Sequence, residues 1–166
     1  AKEVIENYNG AIEDYTIAIE LNPNNAISYL EDRVVVKQII KDYNGAIDDF
    51  TKIIELNPNR GYTYYQRGIL KDLLEDFSGA LKDFTKAIET DYNNAEAYYY
   101  RGRAKVYLKD YNNAIDDFTK AIEIDSTTYY NKGNTEAFYY YRGLAKGAGR
   151  EDRLTQHTDA YQDFTK

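Results

Sequence analysis

The chain has 166 residues, a formal net charge of −7 and a pI near 4.8. This acidity argues against nucleic-acid binding, because neutralising phosphates requires a basic face, and it favours a partner of basic character. No stretch approaches the roughly 18 apolar residues of a membrane-spanning helix, and the N-terminus lacks the apolar segment of a signal peptide. We therefore expect a soluble protein without membrane insertion, with the cytoplasm as the favoured compartment.

The residue types of the chain give little support for a catalytic function. The chain has no Cys and one His, which leaves no thiolate nucleophile and no usual zinc site. The carboxylate pairs 48–49 and 116–117 recur with a repeat and should each place one member in solvent, so they do not suit an acid–base dyad. The segment GLAKGAGR (143–150) lacks the strand and the GK[ST] ending of a phosphate loop. The sequence predicts a protein that is not an enzyme and has no cofactor or metal site.

A unit of 34 or 35 residues recurs along the chain. One half of it appears as YNGAIEDYTIAIEL from Tyr8, YNGAIDDFTKIIEL from Tyr43, FSGALKDFTKAIET from Phe77 and YNNAIDDFTKAIEI from Tyr111. Small or apolar residues recur in it every three or four positions, which is typical of a helix with one buried face. The other half, seen in AEAYYYRGRAKVYLKD from Ala95, has the same helical period. Each unit is therefore predicted to be a helix, a short turn and a second helix.

The predicted elements run in order as a partial repeat 1–25, repeats 26–60, 61–94 and 95–128, and an atypical truncated repeat 129–166. Asp76 and Asp110 precede second helices and are expected to cap their free amides. The Asn-Pro pairs at 22–23 and 57–58 should end second helices. Both termini cut a repeat, so we expect a piece of a longer array or ends that meet another copy.

The period and its fixed residues resemble the tetratricopeptide repeat family. In the unit from Ala95 the family's pattern is met by Tyr98, Gly102, Tyr111, Ala114, Phe118 and Ala121, while Ser126 stands in the usual place of proline. The chain is identified as an Arg-Gly variant of this repeat, because Arg precedes the glycine. The resemblance implies an all-α fold, an α-solenoid of stacked antiparallel helix pairs that form a right-handed superhelix, with a concave groove that receives a protein or peptide.

Three places depart from the repeat. Val34 stands where other first helices have glycine, so helix approach should be looser there. The connection 126–135 is longer than its counterparts, and a further insertion lies at 147–152, after which the sequence from Arg153 aligns with a second helix and places His157 where Tyr111 stands. Either these insertions are tolerated loops, or one of them folds over the mouth of the groove.

Arginine and aspartate recur once per repeat. The arginines are Arg33, Arg67, Arg101 and Arg142, and the aspartates are Asp14, Asp49, Asp83, Asp117 and Asp163. A planar guanidinium can bind a carboxylate with two donors, which predicts a ladder of ion pairs along the stack. The alternative is that some of these arginines reach into the groove.

The chain has 19 Tyr, many of them in the first helices. Tyr64, Tyr98 and Phe138 hold the family's large aromatic packing position, whereas the residues that follow them should face the concave side. The candidate peptide-binding residues are Tyr62, Tyr65, Gln66, Ile69, Tyr99, Tyr100, Arg103, Tyr139, Tyr140 and Leu144. The other interpretation is that these tyrosines only cover the stack.

The leading hypothesis is a scaffold that binds a peptide or partner protein in its Tyr-lined groove. Positions that hold Lys and Asn in family members that bind acidic C-terminal tails are occupied here by Gln66, Ile69 and Arg103, which does not favour that ligand. The alternative is a structural module that forms homo-oligomers end to end through exposed half-repeats. A third possibility is regulation of an enzyme domain elsewhere in a longer parent chain.

Overall fold

The computed structural model describes residues 2–91, 93–127 and 135–163, and the side chains of 7–91, 93–125 and 135–151. The regular structure of these residues is helical throughout: α1 (Lys2–Leu21), α2 (Ala26–Ile39), α3 (Tyr43–Leu56), α4 (Gly61–Leu73), α5 (Phe77–Thr90), α6 (Ala95–Tyr107), α7 (Tyr111–Thr127) and α8 (Thr135–Asp163). A single 3₁₀ turn, Pro23–Asn25, joins α1 to α2. The predicted all-α architecture of consecutive paired helices is confirmed. Most of the connection 126–135 and the side chain of His157 lie outside the described residues.

The chain forms two compact units, Ala1–Thr90 and Asp91–Lys166. In the first unit each helix from α1 to α5 packs on the next. Its core includes the buried cluster Leu30, Val34, Ala46, Phe50, Ile53 and Leu70. In the second unit α7 packs on both α6 and α8, around buried clusters that include Phe118 with Ala145 and Phe138 with Ala121. The apolar positions spaced three and four apart in α7 lie on its buried face, as their period predicts.

The first helices α2, α4 and α6 end in the same backbone conformation. Their last turns are followed by Lys41, Glu75 and Lys109, whose φ angles are 63°, 62° and 62°. Left-handed residues commonly terminate helices, but glycine usually fills this position. Because these residues are long and charged, the sequence carried no obvious signal for this turn.

Aspartates after these turns cap the next helices. Asp42 accepts a hydrogen bond from the amide of Gly45 at 3.0 Å, and Asp76 accepts one from the amide of Gly79 at 2.9 Å. The prediction for Asp76 is therefore confirmed. At the third turn Asp110 is instead bound through both carboxylate oxygens by the side-chain amide of Asn113, at 2.9 Å each.

Glycine in a first helix lets the paired helix approach closely. A Cβ atom at Gly68 would lie 2.8 Å from the ring of Phe84, and one at Gly102 would lie 2.9 Å from the ring of Phe118. In α2 the same position holds the buried Val34. The backbones of α2 and α3 approach each other less extensively than those of α4 and α5, as the valine predicts.

The interpretation of residues 147–152 as an inserted loop is wrong, because α8 runs through them without a break. The reason lies on the inner face of the helix, where Phe138, Ala145 and Gly149 are buried. A Cβ atom at Gly149 would lie 3.2 Å from Cβ of Tyr111, so the small residue lets α8 stay close to the start of α7. Burial along this face offsets the poor helix propensity of glycine.

The predicted register of the last repeat is wrong by one residue. The guanidinium of Arg142 lies 5.0 Å from the ring centre of Tyr139, three residues earlier, just as Arg101 lies 5.3 Å from Tyr98. Tyr139, rather than Phe138, therefore occupies the family's aromatic position. Phe138 is buried against the second half of α7 instead. The cause is one extra residue between Ala137 and Arg142, compared with the segment from Ala97 to Arg101. An alignment that starts at the N-terminal end of the helix does not reveal this residue.

Candidate protein-binding surface

A polar cluster joins the two helices of each pair. In the first cluster Arg33 donates to Asp49 through Nε at 2.9 Å and Nη2 at 2.7 Å, and Lys37 Nζ lies 2.7 Å from Oδ2 of the same carboxylate. The equivalent clusters are Arg67 with Asp83 and Lys71, and Arg101 with Asp117 and Lys105. Sequence reasoning missed the lysine, although its fixed spacing of four from the arginine placed it on the same helix face.

The arginines also contact the preceding helix within each unit. Arg33 Nη1 donates to Thr16 Oγ1 at 2.7 Å, and Arg67 Nη1 donates to Thr51 Oγ1 at 3.0 Å. Each threonine hydroxyl donates in turn to a backbone carbonyl of its own helix. The predicted ladder is therefore observed for Arg33, Arg67 and Arg101. These arginines join the paired helices, and Arg33 also lines a groove of the first unit.

The candidate residues of the first unit lie on α4. Tyr62 is 62% exposed, and its hydroxyl is a hydrogen-bond partner of Nε2 of Gln66. Tyr65 is only 8% exposed, because its ring lies 6.5 Å from the ring of Tyr62 and 6.2 Å from that of Phe84. Gln66 and Ile69 are half-buried. Tyr65 thus supports this surface from below, while Tyr62 presents its ring to solvent.

The candidate residues of α6 form an aromatic cluster with α8. The ring of Tyr99 lies 5.1 Å from that of Tyr100 and 5.5 Å from that of Tyr141, both edge to face. Arg103 covers the other side, with its guanidinium 5.1 Å from the centre of the Tyr100 ring. Burial raises the pKa of Tyr99, and the nearby Tyr141 raises it further. Burial also raises the pKa of Tyr100, with a smaller contribution from Glu96.

The remaining candidates line an open groove on α8. Tyr139 and Tyr140 are 52% and 62% exposed, and Leu144 is 45% exposed. The groove encloses about 750 Å³ and is lined by Val106, Tyr139, Tyr140, Gly143, Leu144, Gly147, Ala148 and Glu151. Its walls are mostly hydrocarbon, with glycine along the floor. The structure therefore brings three predicted residues of the second unit together in a concave, apolar surface.

The first unit contains a second groove that sequence reasoning missed. It encloses about 480 Å³ among α1, α2 and α3, and its lining includes Arg33, Lys52, Glu20 and Glu55. Leu30 also lines it, at the position where α4 has the larger Tyr64. This substitution within the repeat was the one available signal.

Comparison with known proteins agrees with this geometry. The family model of the tetratricopeptide repeat matches residues 95–128. The crystal structure of MamA protein superposes with a TM-score of 0.74 at 23% identity, covering 97% of this chain and 85% of that one. The TPR2B domain of yeast Sti1 in complex with pHsp70 gives 0.67 at 22% identity, with 73% and 96% covered. The OM64 TPR domain from Arabidopsis gives 0.58 at 28% identity, with 80% and 97% covered. No curated protein sequence matches significantly.

These observations define a protein built from helix pairs of the tetratricopeptide type. Residues 95–128 match the tetratricopeptide repeat, and the helix pairs have the fold of tetratricopeptide repeat structures, as the recurring residues predict. None of the described helices combines the length and apolar character needed to cross a membrane. Within the described ranges, no group of three His, Cys, Asp or Glu side chains is arranged to hold a metal ion.

Proposed function

We propose that this protein is an interaction scaffold whose first-helix surface binds a segment of a partner protein. The groove on α8 carries this proposal, because it combines exposed aromatic rings with an apolar floor, the composition favoured at binding hot spots. Within the second unit the cluster of Tyr99, Tyr100 and Arg103 on α6 adds to the candidate residues, and in the first unit exposed Tyr62 on α4 is a separate candidate. Structural neighbours support the general class. One neighbour is a Sti1 domain in complex with pHsp70, and another is an RPAP3 domain bound to an HSP90 peptide.

The charge of the chain supports a partner of basic or neutral character. The net charge is −7, and the groove itself ends at Glu151. We expect acidic tails to be poor ligands, since Gln66, Ile69 and Arg103 replace the residues with which family members bind them.

The proposal is tested by selecting peptides from a randomised display library on the intact chain. The affinity of a selected synthetic peptide is then measured by calorimetry for three proteins. Leu144→Ala should weaken binding by about tenfold or more, as expected for an apolar hot spot. Leu108→Ala is the matched control, because this leucine is 44% exposed, against 45% for Leu144, and does not line the groove.

The control should bind as tightly as the unchanged chain. Equal affinity of all three proteins for every selected peptide would remove the groove from the proposal. Loss of affinity in both variants would point to a general loss of structure, and thermal melting of each variant distinguishes that case.

A further inference from the structure

The face of α8 that lines the groove has the same residue pattern as the face of α6 that packs on α7. The α6 positions that pack on α7 are Tyr98, Tyr99, Gly102 and Val106. When Arg142 is aligned with Arg101, their counterparts in α8 are Tyr139, Tyr140, Gly143 and Gly147. In the other first helices this face receives the second helix of the same pair. The groove on α8 thus lies where a second helix would pack.

In α8 this face is open. A Cβ atom at Gly102 would lie 2.9 Å from the Phe118 ring, whereas one at Gly143 would have no atom within 4 Å. Gly102 is buried, while Gly143 and Gly147 are exposed. Because the helix has the same aromatic and glycine positions as α6, it presents a complete acceptor surface for a second helix.

The charged residues on this face of α8 also match those with which α6 binds its second helix. Arg101 and Lys105 bind Asp117 of α7, at 2.6 and 2.7 Å. Arg142 and Lys146 occupy the same positions in α8, yet among the described side chains neither contacts a carboxylate. Arg142 instead contacts Thr119 at 3.4 Å and stacks on Tyr139. A fitting ligand supplies one carboxylate to this pair of cations.

The ligand that fits is a helix with a small residue followed, three and four positions later, by Asp and Phe. All three second helices that fill such a face have this pattern, AIDDF from Ala46, ALKDF from Ala80 and AIDDF from Ala114. The small residue and the phenylalanine are buried in each of them. The same spacing occurs once more in the chain, in AYQDF from Ala160 to Phe164.

The continuity of α8 decides how this segment reaches the groove. Since α8 runs as one helix from Thr135 to Asp163, position 163 lies about 30 Å along the axis from Gly143. The segment therefore cannot cover the groove of its own helix while α8 is unbroken. An antiparallel α8 of another molecule can cover it, and a two-fold axis near residue 153 then creates the same contact twice.

We propose that the groove on α8 is the docking site for residues 153–166 of a second copy of this chain. Asp163 of each copy binds Arg142 and Lys146 of the other, and Phe164 packs over Gly143. The pairing repeats the contacts of Asp117 and Phe118 with α6. This inference rests on the proposed function, because it names the occupant of the same groove.

Charge reversal in a mixing experiment tests the pairing. Molar mass is measured by light scattering over a concentration series for the intact chain, for Arg142→Glu and for Asp163→Arg. The unchanged chain should approach twice its monomer mass, while each variant alone should stay monomeric, because position 142 then faces a like charge at position 163 of the other copy in both contacts. An equimolar mixture of the two variants should regain the dimer, since position 142 then faces an opposite charge at position 163 of the other copy in both contacts. Lys120→Glu, an exposed charge reversal on α7, should dimerise normally.

A second variant avoids any dependence on charge. Gly143→Leu adds a side chain into open space, so it should leave the melting temperature of the chain unchanged or raised, because leucine favours helix more than glycine does. The same side chain fills the site of Phe164 and should abolish the dimer. A dimer that survives Gly143→Leu shows that another surface associates and overturns the proposal.

The remaining outcomes separate this inference from the proposed function. A monomeric unchanged chain at all concentrations, or a mixture that stays monomeric, rejects docking of a second copy. If selected peptides still lose affinity on Leu144→Ala, the interaction groove stands and only its occupant is wrong. If a monomeric chain instead melts at a lower temperature with Gly143→Leu, the segment packs within its own molecule, and the proposal is rejected as well.

Discussion

The helix pairs α2–α3 and α6–α7 share their polar cluster and differ in their apolar contents. In both pairs an arginine binds an aspartate through two nitrogen atoms, and a lysine one turn later binds the same carboxylate. Around this cluster α2 has Leu30 and Val34, whereas α6 has Tyr98 and Gly102. The phenylalanine of the second helix, Phe50 or Phe118, is buried in both.

The difference teaches that the charged contacts hold one register in the two pairs, whereas the apolar packing adapts to what each repeat supplies. A buried carboxylate with two cations tolerates little displacement, since an unpaired charge is costly. Apolar side chains of different shape can fill the same space at modest cost. Residues that recur in every repeat are therefore structural, and those that vary are the place to search for function.

The largest expected change in stability comes from removing the buried carboxylate of the polar cluster that the two pairs share. Asp49→Ala leaves Arg33 and Lys37 close together without their carboxylate, in a site where Asp49 is almost fully buried. We expect the free energy of unfolding to fall by about 3–5 kcal/mol, the usual cost of removing one partner of a buried ion pair. Urea denaturation followed by circular dichroism measures it.

The adjacent Asp48 provides the control, because it has the same side chain in the same helix but is exposed. Asp48→Ala should change the stability by less than about 0.5 kcal/mol, as surface substitutions usually do. Similar losses for the two variants would contradict the assignment of the cluster as the register-setting contact.

The next largest change in stability comes from giving α6 an apolar residue that α2 has. Gly102→Val gives α6 the residue that α2 has at Val34, but the Phe118 ring stands 2.9 Å from the new Cβ. We expect a loss of about 1–3 kcal/mol from overpacking. Gly10→Val introduces the same residue into a position of α1 with open space and serves as the reference. If both substitutions change the free energy of unfolding equally, the close approach of α6 and α7 has no energetic weight.

Much of this fold follows from the sequence, for reasons that the two pairs make plain. The 34-residue period and the Arg and Asp at fixed positions predict the paired helices and their ion pairs, because each recurs in several independent copies. The register of Tyr139 was mispredicted, since the extra residue in α8 occurs only once. The interpretation of residues 147–152 as an insertion is wrong for the same reason. The structure shows that α8 continues through them, with Ala145 and Gly149 buried on one face.

The candidate surface was predictable in part. The Tyr-rich first helices indicated Tyr139, Tyr140 and Leu144, which lie together in one groove. The sequence could not show that Tyr65 is covered, because its burial depends on contacts with Tyr62 and Phe84 of the folded unit. Sequence periodicity assigns a side chain to a face, but the depth at which it lies depends on its neighbours.

A smaller effect distinguishes how the second helices of the two pairs begin. Asp42→Ala removes the acceptor of the Gly45 amide at the start of α3, and we expect a loss of about 1 kcal/mol. Asp110→Ala at the start of α7 removes contacts with the Asn113 side chain, which water can replace, so its cost should be lower. Urea midpoints of the two variants compare them directly. A larger loss for Asp110→Ala would show that its carboxylate also serves the backbone of α7.

The smallest expected effect concerns the aromatic rings, which α6 has and α2 lacks at the same positions. The folded pKa of Tyr99 is raised above its ordinary value of 10.0, chiefly by burial and then by Tyr141. Because the unfolded chain ionises first as pH rises, this group's contribution to stability is complete below pH 10.0 and declines as the pH rises beyond it. Tyr99→Phe should therefore reduce the loss of stability between neutral and alkaline pH, measured as the shift of the urea midpoint. Tyr62→Phe, which changes an exposed ring of the first unit, should leave that shift as it is in the unchanged chain. An equal shift in all three proteins would mean that the Tyr99 hydroxyl ionises as readily in the folded protein as in the unfolded chain, and that the α6 cluster is more open to water than its ring contacts indicate.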